Sequence, residues 1–400
     1  MIYGCIGEHL RHSFSREIHE AIGDYAYELK EIAPDRLDRF MAERPFRAIN
    51  VTIPYKQAVM PHLCWMSETA RAIGAVNTVV NRDGLLYGYN TDFFGLSRLI
   101  RRLGLDLGGK NVLILGTGGT GKTAVYTARA LGAARVERVS RTAREGALTY
   151  DQALARADTD VIVNATPCGM FPRRDGLPIP LDAFPNLSGV VDAVYNPLRS
   201  RLVLAARSRG IPAEGGLYML VAQAVRAAEI FRGMSCPDSL TDAIYQEKRR
   251  EKENIVLIGM PGSGKSSVAR ALGRRLNRPV ADVDDLVARR AGMTIPEIFA
   301  RFGEARFRDM ESEVVSALAD DGGQVVATGG GSILREKNVE ALRQNGRLFL
   351  LDRPLGDTRE KVERLYRDRM PLYRAAADET VVSRAVAEET ARDIEGRWNR

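Results

Sequence analysis

Two stretches of this 400-residue chain have the spacing needed to cradle phosphate. GTGGTGKT at Gly116 to Thr123 and GMPGSGKS at Gly259 to Ser266 both fit GxxxxGK[ST], in which glycines turn backbone amides toward an anion and a lysine neutralises it. The first also satisfies GxGxxG through Gly116, Gly118 and Gly121, with Gly119 between them, which is the dinucleotide form. The residues after each loop separate the two chemistries. After the second, VADVDDL places Asp282 and Asp284 where a carboxylate reaches a magnesium ion held by Ser266 and the phosphates of a nucleoside triphosphate. Gly262, Ser263, Gly264, Lys265 and Ser267 complete an ATP cradle. After the first loop there is no acidic pair. The next short strand instead ends in Ser140, Arg141 and Thr142, with Arg144 just beyond, where a dinucleotide fold presents an acid to the ribose of NAD or an arginine to the extra phosphate of NADP. This predicts an NADP site, with Lys122 accidental or facing outward.

Other polar groups fall at strand ends before the first loop: Ser13 and Ser15 in HSFS, Asn50, Thr52 and Lys56 in INVTIPYK, Asn77 in GAVNT, and Asn90, Thr91 and Asp92 in YNTD. Hydroxyls and amides bind a polyol or carboxylate, and a lysine beside an aspartate can move a proton. Each also has a plain structural use, as turn residue, helix cap or exposed lysine. In the second half, Arg308 in FGEARFRDME, Gly329, Gly330 and Gly331 in ATGGGSIL, and Arg369 in DRMPLY suit a small acceptor bearing a carboxylate. Their plain uses are a surface helix residue and a tight turn.

The elements that must position these residues follow from periodicity. Both glycine loops sit between an apolar strand run, NVLILG or NIVLIG, and a helical stretch. Residues 1–90 alternate short strands (IYGCI, YELKEI, FRAINVTI, AVNTVV) with helices, residues 91–215 form a dinucleotide-type βαβ region, and the helical tail of 216–247 packs back on the first piece. Residues 254–400 form a second α/β unit with a central parallel sheet. The mixed-charge run of 246–253 reads as a solvated linker or helix end. The 45% hydrophobic and 27% charged composition is that of globular domains. No apolar run reaches the roughly 18 residues of a membrane span, and the start lacks a leader pattern, so a cytoplasmic location without membrane contact is expected. The net charge of +7 is dispersed and not interleaved with aromatics, which argues against nucleic acid and for anionic small molecules. The four cysteines show no CxxC and suggest neither zinc nor disulfides.

Taken together, the first-half motifs resemble shikimate dehydrogenases over residues 1–247: HSFS, NVTIPYK, GAVNT, YNTDFFG, the glycine loop, NATPCGM, VYNPLRSRL and GGLYMLVAQA. The resemblance implies a substrate domain plus a Rossmann NADP domain. By it, Ser13, Ser15, Thr52, Asn77, Asp92 and Gln223 bind substrate, Lys56 and Asp92 form the catalytic pair, Tyr195 lines the site, and Gly216 and Met219 border the nicotinamide. Arg16 stands where the family usually has proline, and SRT replaces NRT while keeping Arg141 and Thr142. Residues 254–400 resemble shikimate kinases, a P-loop fold. There Lys265 and Asp284 act in catalysis, Ser266 and Asp282 hold magnesium, and Asp284, Arg308, Arg369 and the three glycines take the acceptor. That family carries a lid with an RPLL-like motif before the helix leading to RMPLY. Here the interval is only RPLGDT, with Arg353 either the lid arginine or the end of a strand; either the lid is truncated or its residues are missing from the chain as presented, the latter being the expectation. The joint resemblance implies NADPH reduction of 3-dehydroshikimate and ATP phosphorylation of shikimate. Two alternatives stay open: a quinate-directed dehydrogenase fused to a small-molecule kinase, and a degenerate metabolite sensor, against which Lys56, Asp92, Lys265 and Asp284 stand intact.

Overall fold

A computed structural model describes residues 2–10, 14–353 and 360–399. The chain divides into two compact units, Met1–Lys248 and Arg249–Arg400. Residues 246–252 are the end of the helix Ser239–Lys252, and its last turn carries Arg249, Arg250 and Lys252. Cations there complement the negative end of the helix dipole. No described helix is long and apolar enough to cross a membrane.

The first unit contains two sheets. Strands β1 (Tyr3–Gly7), β2 (Tyr27–Glu31), β3 (Ala48–Val51), β4 (Trp65–Met66), β5 (Thr78–Arg82) and β6 (Leu85–Tyr89) form a sheet of order β2-β1-β3-β5-β6-β4. β1 runs parallel to β2 and β3, whereas β5 runs antiparallel to β3 and β6. The β5–β6 turn is Asp83-Gly84, both at positive φ (51° and 82°), the two-residue geometry whose twist matches that of paired strands. β3, AINV, is buried along its whole length. Its C-terminal end therefore carries Thr52 and Lys56 out of a fixed strand.

Strands β7 (Asn111–Leu115), β8 (Arg135–Val139), β9 (Val161–Asn164), β10 (Gly189–Asp192) and β11 (Ala213–Glu214) form an all-parallel sheet of order β11-β10-β9-β7-β8. β9 and β10 are wholly buried, because helices cover both faces of such a sheet and its strands become continuous apolar runs. The strand order reverses at β7, and the crevice beyond the carboxyl ends of β7 and β9 is where this topology accepts ligands. The glycine loop leaves β7 at that point. Gly116 (φ 113°) lies so close to the loop after β9 that a Cβ would stand 3.0 Å from the Ala165 carbonyl.

One helix pair joins both sheets of this unit. Leu217–Arg232 is buried nearly all round: Leu217, Val221 and Ala224 share a core with Ile114 and Val163, while Ala227 and Phe231 share one with Cys5, Tyr27 and Ala48. The expected return of this tail onto the first sheet is thus half of its packing. It lies against the helix Asp92–Arg102 so closely that a Cβ on Gly95 would meet the Met219 carbonyl at 2.5 Å.

The second unit has one parallel sheet, β12 (Asn254–Ile258), β13 (Val280–Asp282), β14 (Val325–Ala327), β15 (Gly346–Asp352) and β16 (Glu379–Val382), in the order β13-β14-β12-β15-β16. β12 is central and buried throughout, and it delivers the second glycine loop to the helix Lys265–Leu276. The helix Ile295–Leu318 is broken at Gly303 (φ 77°, ψ 172°), so the segment bearing Arg308 has its own direction. β15 ends at Asp352 and the next helix begins at Glu360, and the chain is continuous in sequence between them. The expectation of missing lid residues falls on this interval. Pro354 to Thr358 of RPLGDT lie outside the described residues.

The Gly95 contact sets the first prediction. Gly95→Val should destabilise the chain by about 1–3 kcal/mol, since backbone at van der Waals distance can yield only by parting the helices. Chemical denaturation of the full chain checks this through a lowered midpoint; an unchanged midpoint would show that the helices separate freely.

Candidate active sites

In the first unit, Lys56 Nζ donates to Asp92 Oδ2 at 2.6 Å, with side chains only 13% and 9% exposed. Asp92 opens the helix Asp92–Arg102 after Thr91 at the cap position, and the Phe93 amide of its first turn donates to Asn90 Oδ1 at 3.1 Å. The Asp92 carboxylate is free to face the cleft. Its Oδ1 accepts from Asn77 Nδ2 at 2.9 Å. Asn77 is held in turn by the Thr91 amide, which donates to its Oδ1 at 2.7 Å, and it faces Gln223 Oε1 at 3.4 Å. Gln223 Oε1 also accepts from Thr91 Oγ1 at 3.2 Å. Below this layer, Asn50 Nδ2 donates to the Asn77 carbonyl at 3.2 Å and Asn50 Oδ1 accepts from Tyr27 OH at 2.7 Å. A run of buried amides thus fixes the carboxylate, and the carboxylate fixes the lysine.

Residues far apart in sequence meet here, Asn77 and Gln223 among them. Ser15 begins the helix Ser15–Ile22 and is 9% exposed. The ring of its neighbour Phe14 lies 5.2 Å from that of Tyr195, which brings Tyr195 to the serine segment. Thr52 is half-buried just beyond β3, with its methyl against Gly7. Ser13 lies outside the described residues. Arg16, the residue in place of proline, donates from Nε to the Tyr27 carbonyl at 3.0 Å and so ties the helix start to β2.

The glycine loop of this unit fits a dinucleotide. Gly118 leads into the helix Gly119–Ala130, a Cβ there would meet nothing within 4 Å, and Gly121 turns tightly onto the Gly116 carbonyl. Backbone amides at such an open helix start suit a pyrophosphate. Lys56 crosses the same turn: a Cβ on Gly119 would be 3.1 Å from Lys56 Cδ, and Lys56 Nζ approaches Thr120 Oγ1 at 3.5 Å. Lys122 Nζ instead donates to Gln57 Oε1 at 2.8 Å, so its ammonium faces outward from the glycine turn. Arg141, Thr142 and Arg144 are exposed beyond β8, and Ser140 Oγ accepts weakly from the Thr142 amide at 3.4 Å. Gly216 precedes the helix Leu217–Arg232, its amide bonded to the Val194 carbonyl at 2.8 Å, and Met219 is 7% exposed within the core.

In the second unit, Lys265 is 8% exposed and its Nζ donates to the carbonyls of Gly259 and Met260 at 2.8 and 2.9 Å. Burial pushes its ammonium down to about 8, against the opposing charges of Asp284 and Asp282. Ser263 Oγ is buried and has no hydrogen-bond partner among the described residues. An orphaned hydroxyl inside a glycine turn is what a bound phosphate would satisfy. Ser266 is half-buried and Ser267 exposed on the first turn of the helix. Among the described residues no three His, Cys, Asp or Glu side chains form a metal cage. A magnesium ion would rest on Ser266 and the nucleotide's phosphates, the usual arrangement for this cation. Asp282 Oδ1 caps the next helix through the Asp284 and Asp285 amides, at 3.1 and 3.4 Å. Arg353 reaches the same loop, its Nη1 donating to the Gly262 carbonyl at 3.0 Å.

The acceptor side is built around the triple glycine. A Cβ on Gly329 would stand 2.6 Å from Asp284 Oδ1 and 2.7 Å from Glu311 Oε1, and Gly331 lies under the Arg308 guanidinium. Arg369 Nη1 donates to the Gly330 carbonyl at 3.1 Å, and Tyr373 OH donates to the same oxygen. Burial first, then the charges of Asp282 and Glu311, raise Asp284 above the ordinary carboxylate range. Glu311 is not among the residues that the sequence singles out. It is fully buried, holds Arg308 Nη1 at 2.9 Å and accepts from Ser332 Oγ at 2.6 Å. Its place three residues after Arg308 on a helix is the signal that could have found it.

The family described as shikimate dehydrogenase substrate binding domain matches residues 5–79, and the shikimate kinase family matches residues 261–394. A shikimate dehydrogenase (NADP(+)) of Clostridium beijerinckii is 32% identical over 259 residues, 61% of this chain and 96% of that protein. A solved chorismate mutase/shikimate 5-dehydrogenase fusion protein from Clostridium acetobutylicum is 34% identical, with a TM-score of 0.58 over 62% of this chain and 96% of that one. Shikimate 5-dehydrogenase from Thermus thermophilus, solved in complex with NADP(H) and shikimate, is 30% identical with a TM-score of 0.55, covering 62% and 99%. The chain belongs to the shikimate dehydrogenase family through its N-terminal portion and carries a shikimate kinase domain in its C-terminal one.

The Arg308–Glu311 pair generates the second prediction. Glu311→Ala should destabilise the second unit by about 1–3 kcal/mol, because the buried Ser332 hydroxyl loses its acceptor and the half-buried Arg308 guanidinium keeps only its exposed partner Glu304. Urea titration of the full chain reads the loss; stability equal to the parent would mean that Glu304 and water already suffice for the guanidinium and the Ser332 hydroxyl.

Proposed function

We propose that the chain catalyses two consecutive reactions on one metabolite: NADPH-dependent reduction of 3-dehydroshikimate to shikimate in the first unit, and ATP-dependent phosphorylation of shikimate to shikimate 3-phosphate in the second. The observation that carries this reading is the coexistence of a largely buried Lys56–Asp92 pair at 2.6 Å beside a dinucleotide crevice with a separate phosphate loop facing Asp284, Arg308 and Arg369.

NADPH supplies the hydride. Lys56 stands where charge develops on the ketone oxygen; its ammonium stabilises that charge and gives up the proton, while Asp92 fixes its direction and Asn77 fixes Asp92. Ser13, Ser15, Thr52, Asn77, Tyr195 and Gln223 supply the hydroxyl and amide contacts for the ring's carboxylate and hydroxyls. Arg141, with Ser140, Thr142 and Arg144, receives the 2′-phosphate, the guanidinium pairing its charge and the hydroxyls donating neutral hydrogen bonds. In the second unit ATP supplies the phosphoryl group. Lys265 neutralises the transferring phosphate, Ser266 with Asp282 holds magnesium, and Asp284, whose proton affinity is raised, takes the proton from the acceptor hydroxyl. Arg308 and Arg369 grip the acceptor's carboxylate against the glycine turn. A cytoplasmic place of action belongs to the same reading, supported by four free cysteines, as expected in a reducing compartment.

Separation of function tests it. Lys56→Ala should lower NADPH oxidation by about 10² or more, the scale of a lost transition-state charge partner, while leaving phosphorylation of supplied shikimate intact. Lys265→Ala should do the reverse. Coupled assays on each full-length variant decide the matter, and a Lys56→Ala chain that reduces 3-dehydroshikimate at the parental rate would remove the lysine from its role.

A further inference from the structure

At the carboxyl edge of the five-stranded parallel sheet of the first unit lies an acid that neither reaction uses. Asp192 ends β10 and is fully buried. Its Oδ1 accepts from Asn164 Nδ2 and from the Val194 amide, both at 2.9 Å, and its Oδ2 accepts from Ser200 Oγ at 2.5 Å. All three donors are neutral, and burial pushes the acid up to about 7. A buried carboxylate without a cation costs more desolvation than an amide would. Its geometry is what an amide lacks: both oxygens accept at once, whereas asparagine must turn an NH₂ toward one of the donors.

Each donor belongs to a different part of that edge. Asn164 ends β9, and its Oδ1 accepts from the Thr166 amide and hydroxyl at 3.0 and 2.7 Å, setting the course of NATPCGM. The Val194 carbonyl accepts from the Gly216 amide at 2.8 Å. Ser200 caps the helix Arg201–Ser208 by accepting from the Val203 amide at 3.3 Å. The Gly215-Gly216 turn is seated directly on this loop: a Cβ on Gly215 would meet the Leu198 carbonyl at 2.5 Å, and one on Gly216 would collide with the Ala193 carbonyl. Tyr195 lies between these anchors, its ring 5.2 Å from Phe14.

We propose that Asp192 is a positioning residue for hydride transfer: by pinning Asn164, Val194 and Ser200 to one carboxylate, it sets where Tyr195 and the Gly215-Gly216 turn stand beside the crevice. It does not itself reach substrate. The proposal rests on the dehydrogenase reading of the first unit. Displacement of about 1 Å at a reacting centre can lower turnover by about 10²-fold, so a node that fixes three segments at once has leverage on rate without touching the chemistry.

Full-length Asp192→Ala and Asp192→Asn chains test it, with four readouts: shikimate oxidation, NADP⁺ dissociation constant, amide hydrogen exchange of residues 193–200 and 215–216, and kinase turnover as a check on folding. Asp192→Ala should lower the kcat of shikimate oxidation by about 10²-fold, with a much smaller change in NADP⁺ affinity, and should speed exchange in those two segments but not in β9. Asp192→Asn should recover part of the rate. Parental kcat with parental exchange would overturn the proposal. So would equal losses of kcat and NADP⁺ affinity with faster exchange across the whole sheet, which would mark a merely structural acid. A parent chain that binds NADP⁺ but never oxidises shikimate would sink the dehydrogenase reading itself, and the positioning role with it, a failure distinct from that of the variants.

Discussion

Backbone amides facing an anion at the end of a parallel strand are the interaction around which both units are arranged. The amides converge where neighbouring connections leave the sheet in opposite directions, and in each unit that point lies at an interior strand, β7 or β12. The strand must be buried on both faces to hold the loop still, which explains the unbroken apolar runs NVLIL and NIVLI. The loop must then have no side chains where the ligand and the next loop approach. Everything chemical is placed relative to these two turns: Lys56 crosses the first at Gly119, and Asp284 faces Lys265 beside the second.

In both units a buried acid holds the working cation or loop, and neutral amides or hydroxyls hold the acid. Asp92 orients Lys56 and is fixed by Asn77; Glu311 orients Arg308 and accepts from Ser332. Inside the protein such bonds are strong when complete and expensive when one member is removed. The helix pair Asp92–Arg102 and Leu217–Arg232 extends the same logic over distance. It carries Asp92 and Gln223 on facing surfaces and lies in contact with both sheets of the first unit.

Much of this is legible in the sequence because it is local. The glycine loops, the strands before them and the acids after the second loop are short patterns whose spacing follows from the turn they make. Less local features are not. Nothing in YNTD separates a capping aspartate from a catalytic one; the structure does so by pairing the Phe93 amide with Asn90 and turning Asp92 toward Lys56. Glu311 reads as one more charge on a helix until Gly303 breaks that helix and swings its second segment under the triple glycine. Asp192 gives no signal, because its partners Asn164 and Ser200 come from separate strands and loops. The expectation of missing lid residues rests on family length and falls on residues outside those described.

The central claim is that one chain carries one metabolite through both steps. It is tested by incubating the chain with 3-dehydroshikimate, NADPH deuterated at the transferable position, ATP and magnesium, and weighing the products by mass spectrometry. The account predicts shikimate 3-phosphate bearing one deuterium and one phosphoryl group, formed after deuterated shikimate appears. Deuterated shikimate that is never phosphorylated, or a phosphorylated product without deuterium, would contradict it.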